Sequence, residues 1–310
     1  MISVIVIGKN EGERLVACLK SIQTALNALA HEVLYVDSCS TDQSLQTAKA
    51  LGARCFLLAE RKTTAGLGRF VGAKEARGEY LLFLDGDMQL QPGFAEKALM
   101  AIAAKGYDGV CGVREDVYLR GGEIVGRNDN YFGCTQERLA PEFGGALMIT
   151  AEALSACGGW STDTVACEES ELHARLLAMG SRIVEIPVPM ITHTDAVRDN
   201  RSPLRTVFSA RRLGEGQALA CALASHHAHD YMRHEREKFT FYALDWLALF
   251  FLLFLPGWGL AVAMMLECMQ LGWLLAKKRP RAFISQKLFF FGLPLGLLTY
   301  RKRSRAYAAE

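Results

Sequence analysis

Two aspartates separated by one glycine, Asp85 and Asp87, have the residue types and spacing that most directly indicate chemistry in this sequence. They follow residues 80–84, an uninterrupted apolar and aromatic run that predicts a strand buried on both faces. Ligands of open α/β sheets collect at the carboxyl ends of the strands. Two carboxylates there, beside a glycine that lets backbone approach closely, suit a hard cation carrying phosphate oxygens. An isolated Asp-x-Asp is often only an acidic turn, so the surrounding elements must decide between a turn and a cation site.

The elements around this strand alternate between apolar strands and amphipathic helices. Asn10 with Glu13, and Ser40 with Gln43, have capping-box spacing and predict the starts of the first two helices. The alternation predicts βαβ units, and hence an α/β fold with a mostly parallel central sheet. The predicted strands are residues 2–7, 32–37, 54–58 and 79–84.

Composition narrows the class of protein. The formal net charge is only +2 over 310 residues, so we expect no nucleic-acid partner. Nine cysteines occur without C-x-x-C or metal-finger spacing, which predicts reduced thiols in the cytoplasm. No strand is followed by G-x-G-x-x-G and no P-loop sequence occurs, which disfavours dinucleotide-binding and P-loop folds.

Five blocks of sequence, in order along the chain, together resemble family 2 glycosyltransferases. That family has the GT-A fold, a Rossmann-like nucleotide-sugar-binding domain, and uses nucleotide-diphosphate sugars. The resemblance covers about two thirds of the chain. The blocks are residues 4–11, residues 36–42, residues 68–80 leading to Asp85-Gly86-Asp87, Gly158-Gly159-Trp160, and residues 167–176.

The resemblance implies a donor site. Asp37 would contact the nucleobase, with Asn10 and Glu11 lining the same pocket. Asp85 would touch the ribose or the metal, and Asp87 would hold Mg²⁺ or Mn²⁺ against the diphosphate. Such a cation neutralises charge on the departing nucleotide.

The resemblance also implies catalytic roles, with departures from the family pattern. The acidic motif is Glu168-Glu169, where the family usually has Glu-Asp, so either glutamate is a candidate for the base that takes the acceptor proton. A helix over residues 170–179 would put Glu169 on the cleft side, so we favour Glu169. Phe70 stands where Asn is common, which makes Arg69 a less secure sugar or phosphate contact. Cys39 also replaces a usual small polar or glycine residue.

Other charged side chains have two interpretations each. His193 would complete the metal shell or contact the diphosphate, or else act as a structural hydrogen-bonding group. Arg211 and Arg212 would clamp the diphosphate or form a solvated or lipid-facing pair. Glu171 and Arg175, four residues apart on the predicted helix, are expected to form a solvated salt bridge.

The last quarter of the chain predicts a membrane anchor. Residues 239–276 are almost continuously apolar, and a spanning helix takes about 20 residues. We therefore expect two spans that meet at Pro256-Gly257, with two interfacial helices as the rival arrangement. Basic residues follow immediately and favour the cytoplasmic side. The predicted domains are a glycosyltransferase domain over 1–200, amphipathic connector helices over 201–238, a transmembrane hairpin over 239–276 and a basic interfacial segment over 277–310.

These expectations combine into an inverting glycosyltransferase with Mg²⁺ or Mn²⁺ as cofactor. It would move a hexose from a UDP- or GDP-sugar to polyprenyl phosphate or a lipid-linked saccharide. The setting would be envelope or exopolysaccharide assembly at the cytoplasmic membrane, with the catalytic domain facing the cytoplasm. Two alternatives stay open: a catalytically silent nucleotide-sugar-binding membrane subunit, and a metal-dependent phosphatase with Asp85 as nucleophile.

Overall fold

The computed structural model describes residues 1–59, 63–196, 213–255, 257–277, 283, 286–287, 290, 292–301 and 307–309. The expectations for Arg211 and Arg212, and for most of the basic C-terminal segment, lie outside these described residues.

Strands and helices alternate through the first part of the chain, and helices dominate the last part. In order, the elements are β1 (Ile2–Gly8), α1 (Glu13–Ala25), β2 (His31–Asp37), α2 (Ser44–Ala50), β3 (Arg54–Leu58), α3 (Ala65–Glu75), β4 (Tyr80–Asp85), β5 (Met88–Leu90), α4 (Phe94–Lys105), β6 (Gly109–Arg120), β7 (Glu123–Asn128), β8 (Arg138–Leu139), β9 (Leu147–Thr150), α5 (Ala151–Ala156), α6 (Glu168–Ala178), β10 (Ile183–Ala196), α7 (Gly214–Ala224), α8 (Ala228–His234), α9 (Arg236–Phe254), α10 (Gly259–Ala276), α11 (Gly292–Thr299) and β11 (Tyr307–Ala309).

One sheet contains all the strands of the described residues, in the order β11-β3-β2-β1-β4-β9-β6-β10-β5, with β7 beside β6 and β8 beside β10. Strands β3, β2, β1 and β4 are parallel, and β6 is parallel to β10. β9 runs antiparallel to both of its neighbours, β4 and β6. The four parallel N-terminal strands are those that the sequence predicted. Their carboxyl ends therefore meet at one edge of the sheet.

The core explains why β1 and β4 are predominantly apolar. Val4 and Ile5 on β1, and Leu82 and Phe83 on β4, have no exposed surface, because helices cover both faces of the sheet. Adjacent residues of these strands therefore face opposite layers of core, and the one buried hydroxyl, Ser3 on β1, is hydrogen-bonded to Glu32 (2.7 Å) and to the Gly78 backbone N–H (2.8 Å). Burial of β4 therefore fixes the position of Asp85, its last residue, at the edge of the sheet.

Both capping boxes were wrong. α1 begins after Gly12 and α2 after Gln43, and neither helix has a side-chain cap. Instead, the Asn10 backbone N–H donates to the Ser40 hydroxyl (2.9 Å), and Asn10 Oδ1 accepts from the Thr41 backbone N–H (2.7 Å). The side chains expected to cap their own helices therefore join the loop after β1 to the loop after β2.

The C-terminal helices pack in two groups. α7 and α8 pack on α6, and α11 packs on α7. α9 and α10 form a helical hairpin, in which Gln270 Nε2 donates to Asp245 (2.8 Å). Lys287, which follows the hairpin in the chain, pairs with both Asp245 and Glu267. Among the described residues, α10 alone is long and apolar enough by composition to cross a membrane. The first of the two predicted spans lies on α9, which carries charged residues at positions 236–238, before the predicted span, and at 245 within it.

Candidate active site

The floor of the site is formed where β1, β2 and β4 end side by side. In the sheet register Gly8 lies opposite Asp37, and Ile7 lies opposite Asp85. Asp37 is buried, and its carboxylate accepts hydrogen bonds from the Ser40 backbone (2.7 Å) and the Tyr35 hydroxyl (3.1 Å). The expected nucleobase contact therefore also shapes the loop that follows β2.

The loop after β2 contains the sequence departure Cys39. Its φ angle is 60°, in the left-handed region that glycine adopts most readily. The Cys39 thiol donates to the Leu58 carbonyl (2.8 Å), which ties this loop to the end of β3. Glycine would adopt this backbone conformation without strain. Cys39 adopts it here, and its thiol hydrogen bond helps to hold the loop.

Glu11 lies close to Asp85 and Asp87, between the loop after β1 and the Asp-Gly-Asp turn. Arg14 pairs with Glu11 (2.7 Å) and lies 3.6 Å from Asp87. Burial raises the pKa of Glu11, opposed by Arg14. A Cβ at Gly86 would lie 2.9 Å from Glu11 Cγ and 3.3 Å from the Ile7 carbonyl oxygen. Glycine between the two aspartates is therefore required by the close approach of the first loop.

Arg69 lies at the centre of an acidic cluster. Its guanidinium is 1% exposed and contacts Asp85 (2.9 Å), Glu168 (2.8 Å) and Glu169 (3.0 Å). Trp160 lies under the guanidinium, with its ring centroid 4.9 Å away. These carboxylates raise the pKa of Arg69 against the effect of burial, so the group is a fixed positive charge. Arg69 thus contacts the site's own acids, whereas the resemblance implied a sugar or phosphate contact.

The carboxylates around Arg69 differ in electrostatic environment. Burial raises the pKa of Asp85, opposed by Arg69 and reinforced by Asp87 and Glu168. Burial also raises the pKa of Glu169, to about 7, again opposed by Arg69 and reinforced by Glu168 and Asp85. Several acids thus share the buried Arg69 guanidinium, and burial favours the protonated form of Glu169.

The two candidate bases occupy different positions at the start of α6. The Glu168 side chain is 9% exposed and bonded to Arg69, whereas Glu169 is 33% exposed. Both line a cavity of about 560 Å³, together with Asp85, Arg114 and His193. Glu169 has the accessible carboxylate that a base acting on an external acceptor needs. This geometry is consistent with the preference for Glu169.

His193 lies near the end of β10 and faces Asp87. Its Nε2 is 3.5 Å from Asp87, and its Nδ1 is 3.1 Å from Asp116 and 2.9 Å from Arg114. Burial alone would lower the pKa of His193, but the hydrogen bond to Asp87 raises it overall. Burial likewise opposes ionisation of Asp87, yet His193 and Arg14 lower its pKa. Asp87 is therefore an ionised carboxylate in a cationic setting.

The donor set fits a divalent cation bound jointly with substrate. Asp87 Oδ1 is buried without a hydrogen-bond partner, which leaves one oxygen free to act as a ligand. The described residues contain no group of three or more His, Cys, Asp and Glu side chains suited to hold a metal. Mg²⁺ sites commonly use one or two carboxylates and complete the shell with water and substrate phosphates. Asp87, with Asp85 beside it, matches that pattern.

Gly145 closes the acidic cluster from the side of β9. Its φ angle is +83°, and a Cβ there would lie 2.9 Å from Arg69 Nη2, 3.0 Å from Asp85 Oδ2 and 3.1 Å from Glu169 Oε1. β9 itself begins only at Leu147. Gly144 and Gly145 form a turn before this strand, and the turn brings backbone against the acidic cluster around Arg69.

Sequence reasoning missed several residues of the site: Arg14, Arg114, Asp116 and the placement of Gly145. Arg114 and Asp116 alternate on the long strand β6, and nothing in their spacing distinguishes them from solvated strand residues. Trp160 belonged to a recognised block, but its contact with Arg69 joins residues far apart in the sequence.

Comparison with known proteins decides the family. The model for "Glycosyl transferase family 2" matches residues 3–158. The chain belongs to this family. The predictions of family 2, of the GT-A fold and of a glycosyltransferase class are thereby confirmed.

Similar sequences to this family 2 chain include two archaeal proteins. It is 33% identical over 126 residues to a dolichol-phosphate mannosyltransferase of Pyrococcus furiosus. This alignment covers 40% of this chain and 35% of that protein. It is 28% identical over 135 residues to the glycosyltransferase AglE of Haloferax volcanii, in an alignment that covers 42% of this chain and 44% of that protein. The chain thus matches less than half the length of either relative.

Solved structures support the fold. The mannosyltransferase PcManGT from Pyrobaculum calidifontis, in complex with GDP-Man and Mn²⁺, aligns with a TM-score of 0.58 at 17% identity, covering 96% of this chain and 87% of that one. GalNAc-T7 with UDP, GalNAc and Mn²⁺ aligns with a TM-score of 0.53 at 15% identity, covering 63% of this chain and 44% of that one.

Proposed function

We propose that this family 2 chain is an inverting glycosyltransferase that moves a hexose from a UDP- or GDP-sugar to a lipid-linked acceptor. The observation that carries the proposal is the position of Glu169, whose accessible carboxylate lines the 560 Å³ cavity beside Asp85. Its pKa of about 7 suits proton transfer at neutral pH. Glu169 and Asp85 line this cavity together with His193, which lies 3.5 Å from Asp87, so a candidate base and the donor-side acids are close together.

The donor would bind across the ends of β1, β2 and β4. Asn10, Glu11 and Asp37 would line the nucleobase pocket, and Asp85 and Asp87 would bind the ribose and the diphosphate-bound cation. The bound Mg²⁺ or Mn²⁺ would stabilise charge on the departing nucleoside diphosphate. His193, already 3.5 Å from Asp87, is the third candidate on this side. Both solved neighbours contain Mn²⁺ and a nucleotide, which supports this assignment.

Catalysis would be a single displacement. An acceptor oxygen attacks the anomeric carbon, the bond from that carbon to the phosphate oxygen breaks, and the configuration inverts. When the acceptor is a hydroxyl, its proton passes to the Glu169 carboxylate. Arg69 would hold Asp85 and Glu169 in their relative positions, because both contact the same guanidinium nitrogen.

Two acceptor classes have different requirements for Glu169. A sugar hydroxyl must lose a proton, whereas a polyprenyl phosphate already presents an ionised oxygen. The raised pKa of Glu169 favours a hydroxyl of a lipid-linked saccharide. The name of the Pyrococcus relative, dolichol-phosphate mannosyltransferase, favours a lipid phosphate. The Glu169→Gln variant separates them, since only hydroxyl transfer depends on a base.

The C-terminal helices would bring this site to a membrane. The hairpin of α9 and α10 presents large apolar side chains to solvent, including Phe250, Leu253, Trp258 and Met264. α10 meets the length and composition of a span. Basic residues follow it, which favours a cytoplasmic catalytic domain at the inner membrane. The proposed division is the catalytic domain over 1–200, the connector over 201–238, the hairpin over 239–276 and the interfacial segment over 277–310.

The test uses the full chain in detergent micelles with UDP- and GDP-sugars, Mn²⁺ or Mg²⁺, and either polyprenyl phosphate or a polyprenyl-diphosphate-linked saccharide. Released nucleoside diphosphate and the mass of the lipid product are measured together. We expect Asp87→Asn, or chelation, to abolish turnover. Glu169→Gln should slow hydroxyl transfer by about 10²–10⁴-fold.

Matched controls are Asp129→Asn and Glu152→Gln, two exposed acids outside the cavity, which should keep wild-type rates. Undiminished turnover after chelation would refute the donor-site assignment. Binding of the nucleotide sugar without turnover would indicate the silent subunit. Release of inorganic phosphate in place of sugar transfer would indicate the phosphatase.

A further inference from the structure

The loop between Trp160 and α6, residues 161–167, has open space on two sides. Val165, Ala166 and Cys167 line the 560 Å³ catalytic cavity. Ser161 and its neighbours line a second cavity of about 480 Å³. The first part of the loop, residues 161–164, is buried, whereas residues 165–167 are only half-buried and lead directly into Glu168 and Glu169.

α7 supplies a direct contact to this loop. Gln217 Oε1 accepts a hydrogen bond from the Val165 backbone N–H (3.0 Å), and the Gln217 side chain is buried. Three residues earlier on the same helix, Gly214 packs against Ala166, where a Cβ would lie 2.7 Å from Ala166 Cβ and 3.0 Å from its backbone carbonyl. α7 therefore holds two consecutive loop residues, one by a hydrogen bond and one by close packing.

The end of the loop requires such support. Cys167 has a φ angle of 64°, a left-handed conformation that a residue with a side chain adopts at a cost. A residue in such a conformation persists when its surroundings determine it. Cys167 immediately precedes Glu168, so its conformation sets the direction in which α6 begins.

α7 is itself firmly attached. Glu215, buried on this helix, accepts from the Tyr231 hydroxyl (3.0 Å) and pairs with Lys238 (2.7 Å). On another side Gly216 meets α11, where a Cβ would lie 2.1 Å from the Leu293 carbonyl and 2.7 Å from Gly296 Cα. These contacts fix α7 to α8, α9 and α11, so it is a rigid support for the loop.

We propose that Gln217 is a positioning residue for sugar transfer: its side-chain oxygen fixes the Val165 backbone, and with it the loop that sets the Glu169 carboxylate at the cavity. α7 lies beyond residues 3–158, so the family match gives it no role. The effect of Gln217 on catalysis rests on the proposed function, whereas its hydrogen bond to the Val165 backbone does not. Displacement of a catalytic group by about 1 Å can lower a rate by about 100-fold.

The experiment compares Gln217→Met, which keeps the shape and removes the acceptor oxygen, with Gln217→Glu, which retains an oxygen at that position. Gln23→Met is the matched control, because Gln23 donates to the Leu51 carbonyl (3.1 Å) on the other side of the domain. Gly214→Ala is a second perturbation that displaces the loop sterically. Each variant of the full chain is measured in micelles for hydrogen–deuterium exchange, thermal unfolding and transfer to detergent-dispersed polyprenyl-linked acceptor.

We expect Gln217→Met and Gly214→Ala to speed amide exchange in residues 161–167, and to lower kcat by about 10–100-fold with donor KM within about twofold. Gln217→Glu and Gln23→Met should resemble wild type in both measurements. Wild-type kcat in Gln217→Met would overturn the proposal. So would a Gln217→Glu variant as slow as Gln217→Met, because the acceptor oxygen would then be irrelevant.

The exchange measurement separates this proposal from the proposed function. If the wild-type chain turns over no UDP- or GDP-sugar, the proposed function fails while the bracing of the loop is still measurable. Unchanged exchange of residues 161–167 in Gln217→Met would refute the bracing, whatever the enzyme's activity. Faster exchange throughout the chain would identify a general folding defect and also count against it.

Discussion

Replacing Arg69 with methionine should destabilise the protein strongly, and more so at high pH. Arg69 is buried and balances three carboxylates within 3.0 Å. Removing one partner of a buried ion pair costs about 3–5 kcal/mol, because the remaining charges are left uncompensated. At about 2–4 °C per kcal/mol for a domain of this size, the melting temperature should fall by about 6–20 °C.

The pH dependence of this defect follows from the acids that remain. Burial already raises the pKa of Glu169 to about 7 and raises that of Asp85, and loss of the cation raises both further. A folded-state pKa above the unfolded value means that stability is retained at low pH and lost as the pH rises. The Arg69→Met deficit should therefore be small near pH 5 and full near pH 8. Adding Glu168→Gln should restore part of it.

Thermal unfolding of the full chain in micelles, at pH 5 and pH 8, measures both effects. Arg54→Met is the matched control, since Arg54 pairs with Glu32 (2.7 Å) but is one-third exposed. A pair of that kind contributes about 0–1 kcal/mol. A deficit for Arg69→Met no larger than that of the control, or equal at both pH values, would refute the electrostatic account of the cluster.

Three further predictions concern other parts of the site and its support. His227 and Arg175 lower the pKa of Glu171 against the effect of burial, so its stabilising contribution is present above pH 4.5 and lost as the pH falls. Glu171→Gln should therefore reduce the drop in melting temperature at acid pH. An unchanged drop would contradict this prediction. Gly145→Ala should reduce turnover by at least about tenfold, because its Cβ would displace the acidic cluster; steady-state kinetics with unchanged values would disprove the contact. Asn10→Ala removes the bond to the Thr41 backbone (2.7 Å) and should weaken nucleotide binding, measured by calorimetry, by about fivefold or more, whereas wild-type affinity would count against the loop's role.

The parts of the fold that could be predicted are those whose burial is uniform. β4 is covered on both faces, so its apolar run and the position of Asp85 are visible directly in the sequence. The parallel order of β1 to β4 follows from the alternation of strands with helices. The antiparallel β9 was not foreseen, because its residues 147–150 form a short apolar run like those of the parallel strands.

The site was less predictable wherever partners come from distant segments. Arg69 and Glu168 are 99 residues apart, so no spacing rule joins them. Glu171 and Arg175 have the expected helical spacing and do pair, at 2.6 Å, but the expectation of a solvated pair was wrong because Glu171 has no exposed surface. α7 and α8 cover that face of α6, and His227 on this covering layer bonds Glu171 (3.0 Å). Burial of this kind depends on tertiary packing that local sequence does not encode.

The glycine-to-glycine contact between α7 and α11 bears on any attempt to prepare a smaller, water-soluble enzyme. A chain cut before residue 239 keeps Lys238, but it discards α11 and uncovers the Gly216 face of α7. Helix α7 would then have solvent where Leu293 and Gly296 now pack. A useful excision would instead remove residues 239–276 and rejoin the chain through a flexible connection, so that α11 still reaches its partner. The apolar hairpin and the enzyme body are therefore interleaved along the sequence, and the tail cannot be trimmed at a single point.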